Sequence, residues 1–96
     1  MIDERLYADL VDLYHDNVKA YKDQNTGIII ENVYPLTIED VEKVFDTKAV
    51  IDYEYIKKNF ISFTVNPQVT EMKIKNDVTY VDLSPDISWE KQIHND

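Results

Sequence analysis

The chain has 96 residues, 19 of them acidic and 10 basic, for a formal net charge of −9. With 44% apolar and 30% charged residues it is too hydrophobic for a disordered chain, and its length allows one modest core, so a single α+β domain over residues 1–96 is expected. A chain without cysteine has no disulfide framework, thiolate metal site or cysteine nucleophile, and one glycine, Gly27, is too few for the loops that cradle nucleotide phosphates.

The first residues lack the basic-then-apolar pattern of a signal peptide, and no apolar run approaches the ~18 residues of a membrane span, which predicts a cytosolic protein. From Ile2 to Asp23, Leu6, Tyr7, Leu10, Val11, Leu13, Tyr14, Val18 and Tyr21 recur at three- and four-residue spacings, as the buried face of an amphipathic helix requires. Asn17 falls inside that stripe, where a buried amide needs a partner; a loop backbone is the expected one. Gly27 breaks the phase, and the β-branched run at 28–33 predicts a strand.

Thr37 and Asp40 have the spacing of a capping box, with Leu36 placed to staple onto Val41, so a short second helix should run to about Asp46. Residues 48–59 fit both periods, and a short helix is the preferred reading. Three β-prone runs follow at 60–65, 69–75 and 78–83, separated by a loop at 66–68 and a two-residue turn at Asn76-Asp77. That turn sets a register in which Ile74 faces Thr79, Met72 faces Val81, Thr70 faces Leu83, and Glu71 faces Asp82, a mildly unfavourable pair. Ser84-Pro85-Asp86 reads as a helix start, with Trp89 and Ile93 on one face of a C-terminal helix. The expected architecture is a long N-terminal helix and a short second one packed on a small, mainly antiparallel sheet, made of a three-stranded C-terminal meander and the strand at 28–33.

No catalytic constellation emerges: His15 and His94 are the only histidines, and Ser62, Ser84 and Ser88 lie in no nucleophile context. Asp12, His15 and Asp16 could approach one cation, but their spacing matches no metal motif and a solvated helix face explains them. A non-enzymatic protein with no cofactor and no metal is expected. The informative feature is charge, which repels nucleic acid and anionic membranes and attracts basic protein surfaces. The candidate partner-binding carboxylates are Asp9, Asp12, Asp16 and Asp23 on the first helix, Glu39, Asp40, Glu42 and Asp46 on the second, and Asp52 and Glu54 after it. Tyr53, Tyr55 and Trp89 join them as aromatic anchors, since Tyr and Trp offer large contact area at low entropic cost.

These features predict an inhibitor or regulator of a basic, nucleic-acid-handling protein, in its sharpest form a nucleic-acid mimic. In size and charge the chain resembles the small acidic inhibitors of phages and mobile elements, such as anti-restriction and anti-CRISPR proteins, without sharing a motif. From Asp9 to Asp23 a helix rises about 21 Å, a length over which duplex DNA carries roughly twelve phosphate charges and one strand about six. Four aspartates on one helix fall short of the duplex. The competing readings are a structural or self-assembling component, for example of a virion, for which a homodimer would be natural, and a small metal-dependent enzyme.

Overall fold

The computed structural model describes residues 2–45 and 51–91. Its elements in chain order are α1 (Glu4–Gln24), β1 (Ile28–Val33), α2 (Ile38–Val44), α3 (Tyr53–Asn59), β2 (Ile61–Lys75) and β3 (Val78–Lys91). The α+β class and the long N-terminal helix follow the sequence pattern.

Asp3 starts α1, its carboxylate accepting a hydrogen bond from the Arg5 backbone N–H at 2.8 Å. Leu6, Leu10 and Tyr14 turn to the core and are buried. Thr37 and Asp40 form the full capping box of α2, and Leu36 and Val41 are both buried. The helix stops at Val44, short of the expected end; Asp46 lies outside the described residues. Thr37→Ala removes one arm of that box and is expected to cost about 1 kcal/mol, read as a lower urea midpoint with an unchanged slope.

The short helix expected within residues 48–59 is present as α3, capped by the Asp52 carboxylate on the Tyr55 N–H at 2.8 Å. Phe60 ends it in the left-handed region (φ 47°), a conformation that costs an L-residue about 1–2 kcal/mol.

The sheet is mixed, in the order β1-β3-β2: β1 runs parallel to β3, and β2 and β3 form one long antiparallel hairpin. Two expectations are corrected here. The runs at 60–65 and 69–75 are a single strand, with Asn66, Pro67 and Gln68 inside it and not in a loop, and the C-terminal helix is instead the second half of β3. Ile87 and Trp89 alternate with Ser88 and Glu90 and lie opposite Val65 and Phe63, so pairing across the hairpin overrides the local helix-start signal. Pro85 lies directly opposite Pro67, which lets both ring nitrogens point away from the shared ladder. Ile93 is outside the described residues.

Near the turn the register is the expected one, Glu71 opposite Asp82 included. Beyond it Val69, not Thr70, faces Leu83, because a bulge at Thr70 absorbs one residue. Asp82 is 9% exposed and accepts a hydrogen bond from the Asn32 amide at 3.0 Å, which satisfies a carboxylate that faces Glu71.

One sheet face carries Val65, Leu83 and Val81 into the core, and Leu6, Leu10, Tyr14, Leu36, Val41, Phe45 and Ile51 pack around Val65. Phe45 meets Phe63 edge to face and Trp89 at a tilt, both with ring centroids 5.3 Å apart. The helices thus share one sheet face, and the other shows exposed Ser62, Thr64, Asn66, Gln68, Asp86, Ser88 and Glu90 to solvent. The expected bond of Asn17 goes not to a loop but to strand β2, its amide donating to the Val65 carbonyl at 2.8 Å.

A strand of 15 residues at about 3.3 Å each is some 50 Å long, which accounts for most of the 57 Å long axis. The radius of gyration, 16.0 Å, exceeds the roughly 12–13 Å of a compact chain this long. The excess is the distal hairpin, an arm projecting past the helical layer.

Candidate functional site

The carboxylates of α1 are positioned by its phase. With its apolar stripe on the sheet, the helix turns Asp9, Asp12, Asp16 and Asp23 outward within about 60° of one another, and all four are exposed. Asp9 is held in place, its carboxylate accepting a hydrogen bond from the Tyr53 hydroxyl at 2.6 Å. That bond brings the start of α3 to the N-terminal half of α1, where half-buried Asp52 lies within electrostatic reach of Arg5; Glu54, next in α3 after Tyr53, is exposed. Arg5 sits within this group, paired with Asp3 at 3.2 Å and stacked 4.8 Å from the centre of the Tyr53 ring. Among the described residues this is the only ion pair within 4.0 Å, so Asp9, Asp12, Asp16, Asp23 and Glu54 face solvent without a lysine or arginine bound to them.

The carboxylates of α2 do not merge with this group. Tyr7 donates its hydroxyl hydrogen bond to the Leu36 carbonyl at the start of α2, whereas Asp9, about 160° away around α1, reaches α3. Glu39, Asp40 and Glu42 therefore lie on the opposite flank of α1, where Asp40 is already engaged by the Thr37 N–H at 3.1 Å. Asp23 lies some 10 Å along α1 beyond Asp16, with Lys19 between them.

The aromatic candidates are partly absorbed by packing. Tyr55, Ile56 and Trp89 lean on the core, Trp89 against Phe45, and Tyr53 spends its hydroxyl on Asp9. Trp89 occupies a strand and not the expected helix.

Set against protein families, curated proteins and solved structures, the chain matches none.

Titration follows the contacts. The Arg5 guanidinium, hydrogen-bonded to Asp3, holds that carboxyl below its usual range. The Asp3 contribution to stability is therefore present above the pKa of the unfolded chain and fades as pH falls through the lower folded value. Tyr53 runs the other way. Donating to the Asp9 carboxylate raises its pKa, as burial raises that of Tyr14, whose hydroxyl donates to the Tyr34 carbonyl at 3.0 Å. Both contributions hold below the ordinary tyrosine pKa of about 10 and are lost as pH rises through the folded values. In an alkaline absorbance titration Tyr14 and Tyr53 should ionise above the ordinary tyrosine range, and Asp9→Asn should move the Tyr53 component back toward the ordinary value.

Among the described residues no group of three His, Asp or Glu side chains is gathered tightly enough to hold a metal ion, and no helix is long and apolar enough to cross a membrane. The groove between α2 and β3, bordered by Tyr34, Asp40, Lys43, Asp86 and Ile87, has two carboxylates on its rim, Asp40, which is committed to the capping box, and Asp86, which is exposed to solvent. What the surface offers is fixed negative charge and acceptor oxygens on a rigid helical layer. Arg5 and the Tyr53–Asp9 bond were not anticipated as a unit, and the one signal for them was Arg5 as the only arginine in an acidic helix.

Proposed function

We propose that the chain is a small acidic protein-binding module that inhibits or regulates a basic, nucleic-acid-handling protein, docking through the surface of α1 and α3. The observation that supports this is the set Asp9, Asp12, Asp16, Asp52 and Glu54 on α1 and at the start of α3, none of which is in an ion pair within 4.0 Å among the described residues. Clustered carboxylates left without counter-charge repel one another and weaken the fold, so their retention fits a partner that supplies the positive charge.

The spacing favours one phosphate track over a whole duplex. Asp9, Asp12 and Asp16 span about 10 Å of α1, where one DNA strand carries about three phosphates, and the start of α3, with Asp52 and Glu54, adjoins Asp9. The natural target is a groove that follows a single strand or one edge of a helix.

A displacement assay tests the reading. Purified basic DNA- and RNA-binding proteins, each loaded with labelled single-stranded or duplex DNA, are titrated with the chain. A supporting result is release of nucleic acid from a subset of them, single strands before duplex, with affinity falling steeply as salt rises. Failure to displace from any of them, or an affinity indifferent to salt, removes the electrostatic model.

A further inference from the structure

We propose that the distal half of β2 is a self-pairing edge, on which a second copy of the chain adds its own β2 antiparallel to form a continuous sheet, β1-β3-β2-β2-β3-β1. The inference is independent of the acidic surface.

In the order β1-β3-β2, the outer side of β2 has no neighbouring strand among the described residues. Asn76 and Asp77 both have positive φ (52° and 62°), which makes the connection a two-residue type I′ turn. In such a hairpin the flanking residues, Lys75 and Val78, bond each other, so Lys73 and Glu71 bond β3 while Met72 and Ile74 direct their N–H and C=O outward. The same alternation leaves the Leu83 carbonyl to face β1, where it accepts from the Tyr34 N–H, and the Val65 carbonyl to face outward, where Asn17 donates to it.

The two halves of this edge are treated differently. The proximal half is closed by the Asn17 amide on Val65 and by Pro67, which has no N–H to offer. The distal half has neither device. Its apolar side chains are bare, Met72 at 64% and Ile74 at 71% exposure, on the face that nearer the helices forms the core.

Charge selects the occupant and its register. Antiparallel pairing of two identical strands that keeps like faces together places one residue opposite itself. Centred on Met72, it sets each Glu71 opposite the second copy's Lys73, twice, and each Thr70 opposite the second copy's Ile74. Shifted one residue either way, Glu71 faces Glu71 or Lys73 faces Lys73, and like charges directly opposite are destabilising. Centring on Met72 also lets its outward N–H and C=O exchange both bonds with their copies, and the bulge at Thr70 ends the pairing. The arm carries both signs of charge at Glu71, Lys73 and Lys75, so contact there keeps the acidic α2 and α3, which pack on the proximal sheet, far from their copies.

Sedimentation of the full chain over a wide concentration range at physiological salt tests the pairing. The expected result is a reversible dimer, weakened about tenfold or more by Glu71→Lys, although that change makes the chain less negative and relieves its repulsion with Asp82. The exchanged variant Glu71→Lys with Lys73→Glu should recover the original dimer strength. Hydrogen exchange should show Met72 and Ile74 amides protected in the dimer and unprotected on dilution. A monomer at every concentration, the outcome if this edge serves a strand of another protein or stays solvated, overturns the proposal. So does a dimer indifferent to Glu71→Lys or not recovered by the exchange.

Discussion

Leu83→Ala is expected to lower the free energy of unfolding by about 2–5 kcal/mol and to leave much of the chain unfolded at ordinary temperature, measured by urea denaturation. Leu83 is 0% exposed in the central strand, between Val33 of β1 and Val69 of β2, so truncation leaves a cavity no neighbour can close without breaking a ladder. Domains this small have total stabilities near the low end of about 5–15 kcal/mol, which makes such a loss a large fraction of the whole. Ile74→Ala offers the contrast: the same kind of truncation at 71% exposure on the arm should change monomer stability by no more than about 0.5 kcal/mol at high dilution. Equal losses at the two sites would mean that the arm is as tightly packed as the base.

The same division between base and arm explains what could be read from the sequence. Signals that act within a few residues were legible: the 3.6-residue stripe of α1, the Thr37–Asp40 box, and the Asn76-Asp77 turn with its register out to Glu71 and Asp82. Ser84-Pro85-Asp86 is a sound local helix start, and it lost to partners some 20 residues away in sequence, Phe63 and Val65 opposite Trp89 and Ile87. Pro67 carries a loop signal for the same reason, since nothing local reveals that Pro85 stands opposite it. The bulge at Thr70 has no local signature either, and it displaced the register by one residue beyond Glu71. At the candidate site, exposed carboxylates on α1 followed from helical phase alone. Their grouping did not, because it depends on a hydrogen bond between Asp9 and Tyr53, 44 residues apart, and on Tyr7 steering α2 to the other flank.

Replacing Asp12, Asp16 and Glu54 together by lysine should weaken binding to a basic partner by about a hundredfold or more while leaving the fold intact. Asp9 is left alone because its carboxylate holds Tyr53, and reversing it would disturb the seating of α3 as well as the charge. The three chosen side chains are exposed and outside every ion pair among the described residues, so a change in binding reports on the partner. Each reversal turns an attraction into a repulsion worth about 1 kcal/mol at a solvated rim, and three of them amount to two or more factors of ten. Most of the loss should fall on the association rate, and raising salt should shrink the difference between variant and parent, because steering by surface charge is screened within about 8–10 Å. Reversing Glu39 and Glu42, exposed on the other flank of α1, separates a docking face from net charge. If these two cost as much binding per charge as the first three, the partner senses only total charge. If only the α1–α3 group matters, the two helices form the docking surface, and the Tyr53–Asp9 bond is what assembles it.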